Sequence, residues 1–332
     1  METSPHKGIT ISSFKRMPGG FMLLLILAVL TEWFVYSIRP ILIDDFWNKF
    51  IINEHYLIDM PKDYEYLIMG NSVHKTGINP TDVSDKILNL GLPGSKPLGL
   101  YIMLKRYLRR HRPPRAIFLY VDPEPVYESF LVILRYFVND PEFISVWNDL
   151  TWEERRVFVM RYWASLDLRQ VGLVVRDRYP QNNKVFIENM KRNNGYMPSA
   201  TFDKVIADDH FSKTKERCSH KLAITKRDMK YFDKFVKLAA SNNIKIVFLG
   251  LILPKELHDI FEKTGFNNDY LTFIKVLKLK YPDIYFVEQP ILYLENKYFG
   301  DQLHVNKNGI IIYTEYFKNQ LFVPYSSLFE SK

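Results

Sequence analysis

A single cysteine, Cys218, stands in 332 residues. One thiol excludes an internal disulfide and a cysteine-rich metal site, and it leaves the compartment open. The histidines offer no metal spacing either. His210 and His220 have no third ligand at zinc-like spacing, and no cofactor is expected. Residues 69–77, MGNSVHKTG, lack the Lys-Ser/Thr ending and the glycine spacing of a phosphate cradle. The chain also lacks an internal repeat, a collagen-like tract and any recognisable nucleic-acid module. Its formal charge of +8 would suit anionic lipid or an acidic polymer, but without an arginine-rich patch nucleic acid is not an expected partner. What is abundant is apolar surface: 47% of residues are hydrophobic and 15% aromatic. That excludes wholesale disorder, and the length suffices for one large core or two domains.

The longest apolar run lies near the start. Lys7, Lys15 and Arg16 precede GGFMLLLILAVLTEWFVYSI (19–38), in which Glu32 is the one charge. The spacing predicts a retained transmembrane helix over 20–38, with 1–19 as a cytoplasmic basic tail and 39–63 as a juxtamembrane linker. The positive flank would leave the larger part of the chain outside the cytoplasm. A cleavable signal peptide competes, but no small-x-small site ends the run; a buried helix is the third alternative.

Beyond Pro61, apolar runs alternate with helical periodicity. Strands are expected at Tyr64–Met69, Leu88–Leu90, Ala116–Val121, Ile244–Leu249 and Ile284–Val287. Helices are expected at TDVSDKIL after Pro80, at Leu98–Arg110, Lys221–Ala240, Pro254–Lys263, Tyr270–Leu279 and Asn306–Asn319. This rhythm implies an α/β fold with a mostly parallel sheet over 64–324. Residues 125–219 interrupt it, with helical stretches around Thr151–Trp163 and Leu166–Arg178. That segment is too long for an ordinary crossover. It reads as a helical lid over the strand ends or as helical padding, its Trp147, Trp152 and Trp163 being core residues or contacts.

Chemistry-bearing residues gather at two strand or helix junctions. Gly70-Asn71-Ser72 follows the first strand, and in open α/β sheets ligands bind beyond the carboxyl ends of strands. Asp301 and His304 lie in FGDQLHVNKNG, a polar loop before the last helix. An alcohol becomes a nucleophile when an imidazole takes its proton, and a carboxylate that orients the imidazole completes the set. Ser72, His304 and Asp301 are therefore candidate nucleophile, base and orienting acid. The backbone N–H groups of Ser72 and Gly94 are candidate oxyanion donors, and Asn71 and Asp122 possible accessories. The bland alternatives are a capping serine, a loop carboxylate, a surface histidine and a turn glycine. His74 is expected to be exposed after the turn.

These motifs resemble the SGNH, or GDSL-like, hydrolase superfamily. Ser72 in GNS matches its first block, Gly94 in NLGLPGS its second, and Asp301-x-x-His304 its fifth. The third-block Gly-x-Asn-Asp is absent; Asp122-Pro123 follows the strand AIFLYV instead. The resemblance, which covers roughly 64–124 and 220–320, implies a three-layer fold and serine-dependent acyl-ester chemistry, as an O-acyltransferase or esterase. With the N-terminal run, it points to the membrane-anchored branch that includes alginate O-acetylation and D-alanyl transfer proteins. That branch implies a single-pass protein of the bacterial cytoplasmic membrane, a multipass membrane acyltransferase as partner, and an extracytoplasmic glycan or lipid acceptor. A non-catalytic scaffold on the same fold is the alternative, favoured by the missing third-block Asn.

Overall fold

A computed structural model describes residues 19–42, 58, 60, 62–121, 130–131, 133–162, 183–199, 201–206, 222 and 224–330. Residues 1–18 of the expected tail, 43–57 of the linker, Asp122, Trp163, the Leu166–Arg178 helix, His210, Cys218 and His220 lie outside them.

Five strands carry the fold: β1 (Tyr66–Met69), β2 (Ile87–Asn89), β3 (Ala116–Leu119), β4 (Lys245–Phe248) and β6 (Ile284–Phe286). They pair in the order β2-β1-β3-β4-β6, all parallel. Each coincides with one of the apolar runs, to within two residues at its ends, because a strand buried on both faces needs uninterrupted apolar side chains. The register sets Ile68 beside Phe118 and Phe118 beside Val247. Alternate residues then face opposite helical layers. Phe118 packs edge-on against Phe317 at 5.0 Å, after helix α8 (Lys307–Tyr316). Phe248 meets Phe232 at 6.3 Å on the other face, where α7 (Lys226–Ser241) lies against α3 (Pro97–Leu108).

The order β2-β1-β3 makes a switch point between β1 and β3, where connections leave in opposite directions and a crevice opens at the strand ends. Two further strands escaped the sequence reading. β5 (Leu251–Pro254) and β7 (Ile291–Leu294) form a separate parallel pair beyond the ends of β4 and β6. Gly250 makes the bend between β4 and β5. A Cβ there would lie 2.3 Å from the Pro290 carbonyl oxygen, a contact that a larger residue could not make. The expected helix after Pro80 is also corrected. Only a 3-10 turn forms, Pro80–Asp82, held by the Asn79 side chain accepting from Thr81 N–H.

The N-terminal expectation is corrected as well. Gly19–Leu42 is helical (α1), but among the described residues no helix is long and apolar enough to cross a membrane. The single-pass anchor is therefore withdrawn as part of the fold. With it go the location in a bacterial cytoplasmic membrane, the multipass acyltransferase partner and the membrane-side glycan or lipid acceptor.

The excursion between β3 and β4 splits into two parts. Helices α4 (Asp140–Val146) and α5 (Trp152–Tyr162) dock on the α3/α7 face. Buried Arg106 of α3 donates to Glu142 of α4 through Nε at 2.9 Å and again through Nη2, which also reaches the Phe137 carbonyl. Asp149 accepts from Tyr231 and Lys230 of α7. Trp147 packs on Phe143, whereas Trp152 is exposed. After α6 (Asn183–Arg192) the chain follows the free edge of β2, with Asn89 N–H donating to the Asn194 carbonyl at 2.9 Å.

Arg106→Met would leave the Glu142 carboxylate buried without its counter-charge, and should destabilise the protein by about 3–5 kcal/mol. The double variant Arg106→Met/Glu142→Gln should lose less than the sum of the single changes. Urea unfolding of the three variants checks this; strict additivity would show that the pair is not coupled.

Candidate active site

Ser72 is the first residue of a short helix, α2 (Ser72–Gly77), that starts three residues after β1 ends. Asn71 caps it. Its Oδ1 accepts from Val73 N–H at 3.0 Å, the ordinary work of Asn at this position, and holds Ser72 at the carboxyl end of β1. The far end of α2 is secured by a residue that the sequence reading took only as part of a strand. Buried Asn89 of β2 donates through Nδ2 to the carbonyls of His74, at 3.0 Å, and Ile78, at 3.1 Å. The His74 carbonyl also accepts from Ile78 N–H, so the helix backbone and Asn89 together satisfy the end of α2. Its Oδ1 accepts from Gly91 N–H at 3.0 Å.

Beyond β2 the ladder continues, with Leu92 N–H donating to the Gly70 carbonyl at 2.7 Å. The following turn, Leu92-Pro93-Gly94-Ser95, is closed by Ser95 N–H donating to the Leu92 carbonyl at 2.9 Å. Gly94 has φ 66°, the left-handed value that the third residue of a type II turn requires, and Pro93 suits the second. Since Ser95 closes the turn, the Gly94 N–H is not spent on it. The exits of β1 and β2 therefore lie side by side, bringing the Gly94 turn to the same sheet edge as Ser72.

The acid and base arrive from the other end of the chain. Phe299 and Val305 form an antiparallel bridge that closes the loop containing Asp301 and His304. The ring Nδ1 of His304 is 3.0 and 2.9 Å from the two Asp301 carboxylate oxygens, and Nε2 is 2.9 Å from Ser72 Oγ. A carboxylate beside Nδ1 holds the proton on that nitrogen and leaves Nε2 to accept from the hydroxyl. Asp301 Oδ1 also accepts from Leu303 N–H at 2.9 Å and His304 N–H at 2.8 Å. Burial alone would raise its pKa. The hydrogen bond and charge of His304 and the two amides outweigh that and hold it at about 2.

Thr201, which the sequence reading missed, donates its hydroxyl to Asp301 Oδ2 at 3.1 Å. Its own Oγ1 lies 3.0 Å from Ser199 Oγ, and the Thr201 carbonyl oxygen would be 2.1 Å from a Cβ at position 300. Gly300 thus permits the close approach of the turn at Thr201 to the Asp301 loop. No motif could have revealed this, because the partners are separated by 100 residues.

Of the candidate residues, His304 contacts both Ser72 and Asp301, Asn71 caps the turn, Gly94 lies at the same edge, and Asp122 falls outside the described residues. His74 differs from expectation. It is fully buried, stacked on Tyr120 at 4.2 Å and edge-on to Tyr313. α2 turns it inward against the sheet edge, and burial lowers its pKa to about 3. No group of three or more metal-ligating side chains occurs among the described residues.

No protein-family model matches the chain, and no curated protein matches it. Among solved structures, it is similar to one from Streptococcus pneumonia described as a candidate platelet activating factor. The identity is 12% and the TM-score 0.39, over 90% of this chain and 99% of that one. The expected membership of the SGNH superfamily and its anchored branch is corrected: no family model and no curated protein places the chain there. Short blocks such as GNS and D-x-x-H can recur without common membership, since each is a few residues that any strand end can carry.

His74 should leave a signature in acid. Its unfolded form takes up a proton near pH 6.5, whereas the folded form refuses one until about pH 3. Unfolding therefore takes up a proton in that window, and stability should fall with pH by up to about 1.4 kcal/mol per unit. Asp301, whose folded pKa is depressed, adds its loss lower, between its ordinary 3.8 and about 2. His74→Phe, which keeps the stacking on Tyr120, should flatten the limb between pH 6 and 4. Denaturant midpoints across that range measure it; an unchanged slope would show that His74 does not cause the loss.

Proposed function

We propose that this chain is an enzyme of serine-dependent acyl-ester chemistry, with Ser72 as nucleophile, His304 as general base and acid, and Asp301 as the orienting carboxylate. The observation that carries the reading is the alignment of one imidazole between a hydroxyl at 2.9 Å and a carboxylate at 2.9 Å, at the switch point of a parallel sheet.

The geometry suggests the following course. Ser72 Oγ attacks the ester carbonyl while its proton passes to His304 Nε2. The imidazolium so formed faces Asp301, whose four hydrogen-bond donors hold it ionised and fixed. Negative charge on the carbonyl oxygen is met by the N–H groups of Ser72 and Gly94, two donors aimed at developing charge. Collapse breaks the bond between carbon and the leaving alcohol oxygen, and that oxygen takes the proton from Nε2. Water or a second alcohol, deprotonated by the same nitrogen, then attacks the acyl carbon, and its bond to Ser72 Oγ breaks as that oxygen takes the proton back from Nε2. The outcome is hydrolysis in the first case and transfer in the second. Thr201 acts through Asp301 as a positioning residue.

Ser72→Ala and His304→Ala should each reduce turnover of an activated ester by about 10⁴-fold or more, with losses that do not add in the double variant. Asp301→Asn should cost about 10⁴-fold, by favouring the wrong tautomer, without unfolding the chain. A fluorophosphonate should add one mass increment to Ser72 in the wild type and none in Ser72→Ala. An active Ser72→Ala protein, or labelling at another serine, would refute the assignment.

A further inference from the structure

The two oxygens of Asp301 are held in different ways. Oδ1 accepts from Leu303 N–H at 2.9 Å and His304 N–H at 2.8 Å, both in its own loop. Oδ2 faces the His304 ring at 2.9 Å and the Thr201 hydroxyl at 3.1 Å. The ring turns with the loop, so Thr201 is the partner that fixes Oδ2 from another part of the chain.

Proton accounting sets the direction of the next link. An ionised carboxylate only accepts, so Thr201 Oγ1 spends its single proton on Asp301. Ser199 Oγ lies 3.0 Å from Thr201 Oγ1, and with that proton spent the Ser199 hydroxyl is the donor between them. Ser199 Oγ itself accepts from Thr201 N–H at 3.2 Å, which holds it in place. Donation therefore runs from Ser199 to Thr201 to Asp301, and His304 Nδ1–H meets the same carboxylate from the other side. A hydroxyl that accepts while it donates is polarised and donates more strongly.

The stretch that carries both hydroxyls, residues 194–199 and 201–206, is anchored on each side of them. Ahead of Ser199, the Asn194 carbonyl accepts from Asn89 N–H at 2.9 Å and Asn194 Oδ1 from the Tyr64 hydroxyl at 3.1 Å. Gly195 follows at φ 87°, and a Cβ there would lie 2.2 Å from the Asn89 carbonyl oxygen. Beyond Thr201, the Phe202 carbonyl accepts from Lys307 N–H and Ile206 N–H donates to the Phe299 carbonyl, both at 2.9 Å. The first anchor is Asn89, which also secures the helix of Ser72; the second pair flanks the loop of Asp301 and His304. This arm of the excursion thus crosses from one half of the site to the other, with Thr201 between its anchors.

We propose that Ser199 and Thr201 form a donor relay onto Asp301, by which the docking of this arm sets the rate of acyl transfer. This rests on the serine reading above. Both are positioning residues, acting through the angle at which Asp301 presents Oδ2 to His304 Nδ1. Without the relay Oδ1 keeps its two amides while Oδ2 swings off the ring, and His304 Nε2 is aimed at Ser72 for less of the time. His304 serves acylation and deacylation alike, so both slow together and KM holds.

The test uses the full chain, p-nitrophenyl acetate as substrate, and fluorophosphonate labelling to completion as the count of sites. Thr201→Val keeps the shape and removes the donor; kcat per site should fall roughly tenfold to a hundredfold, as for a hydrogen bond to a charged group, with KM unchanged. Thr201→Ser, which keeps the hydroxyl, should recover most of that loss. Ser199→Ala should cost about twofold to fivefold, and nothing further in a Thr201→Val background, where the relay is already cut. The downfield proton resonance of His304 Nδ1–H should move in Thr201→Val and return in Thr201→Ser, which a role in folding alone would not produce. A folded Thr201→Val protein with wild-type kcat, equal losses in Thr201→Val and Thr201→Ser, or a Ser199→Ala loss that persists without the Thr201 hydroxyl would overturn the relay. Where Thr201→Val does not fold, Ser199→Ala decides, and wild-type kcat in that variant overturns it. If Ser72 takes the fluorophosphonate and the variants match the wild type, only the relay fails. If Ser72 takes no label and no ester is turned over, the serine reading fails and the relay with it.

Discussion

The Asp301 carboxylate accepts from Leu303 N–H, His304 N–H, the His304 ring and the Thr201 hydroxyl, and the geometry of the site depends on that convergence. A partly buried anion loses water on folding and must be repaid in hydrogen bonds; here the repayment ties together two stretches of chain 100 residues apart. The same oxygens that satisfy the loop backbone orient the imidazole. Folding the loop and aiming the His304 Nε2 at Ser72 are thus one event, and any arrangement that turned the ring away would leave the carboxylate short of a donor.

The opposite half of the site is rigid for a different reason. Ser72 is placed by a parallel ladder that continues past the strands, through Leu90 and Leu92 beyond β2 and Tyr120 beyond β3, whose amides donate to Ile68, Gly70 and Met69. Asn71 caps the start of α2 and Asn89 its end, so a helix of six residues, too short to persist alone, is pinned at both termini. His74 fills the space beneath as a neutral ring against Tyr120 and Tyr313. Its burial keeps it out of the proton traffic, which leaves His304 as the imidazole facing Ser72.

The two halves meet under the β5/β7 pair, which stands beyond the ends of β4 and β6 and supplies an apolar wall. Among the described residues, none of the excursion after β3 lines that wall. That excursion contributes at two other places, Glu142 on Arg106 against the far face and Thr201 on Asp301 at the site.

The amino-acid sequence by itself determined the five main strands, because a strand covered on both faces must be a continuous apolar run, and such runs are visible one residue at a time. It also determined the Pro-Gly turn at 93–94 and the pairing of Asp301 with His304, whose separation of three residues lets them share a loop. Tertiary structure alone decided the rest. β5 and β7 are short apolar runs, indistinguishable from other buried segments until the bend at Gly250 brings each to its partner. The burial of His74 depends on which face of α2 turns inward. Thr201 meets Asp301, and Asn89 the end of α2, only through contacts between distant segments, which local periodicity cannot encode. The N-terminal apolar run was read as a membrane span from hydropathy alone, and among the described residues no helix is long and apolar enough to cross a membrane.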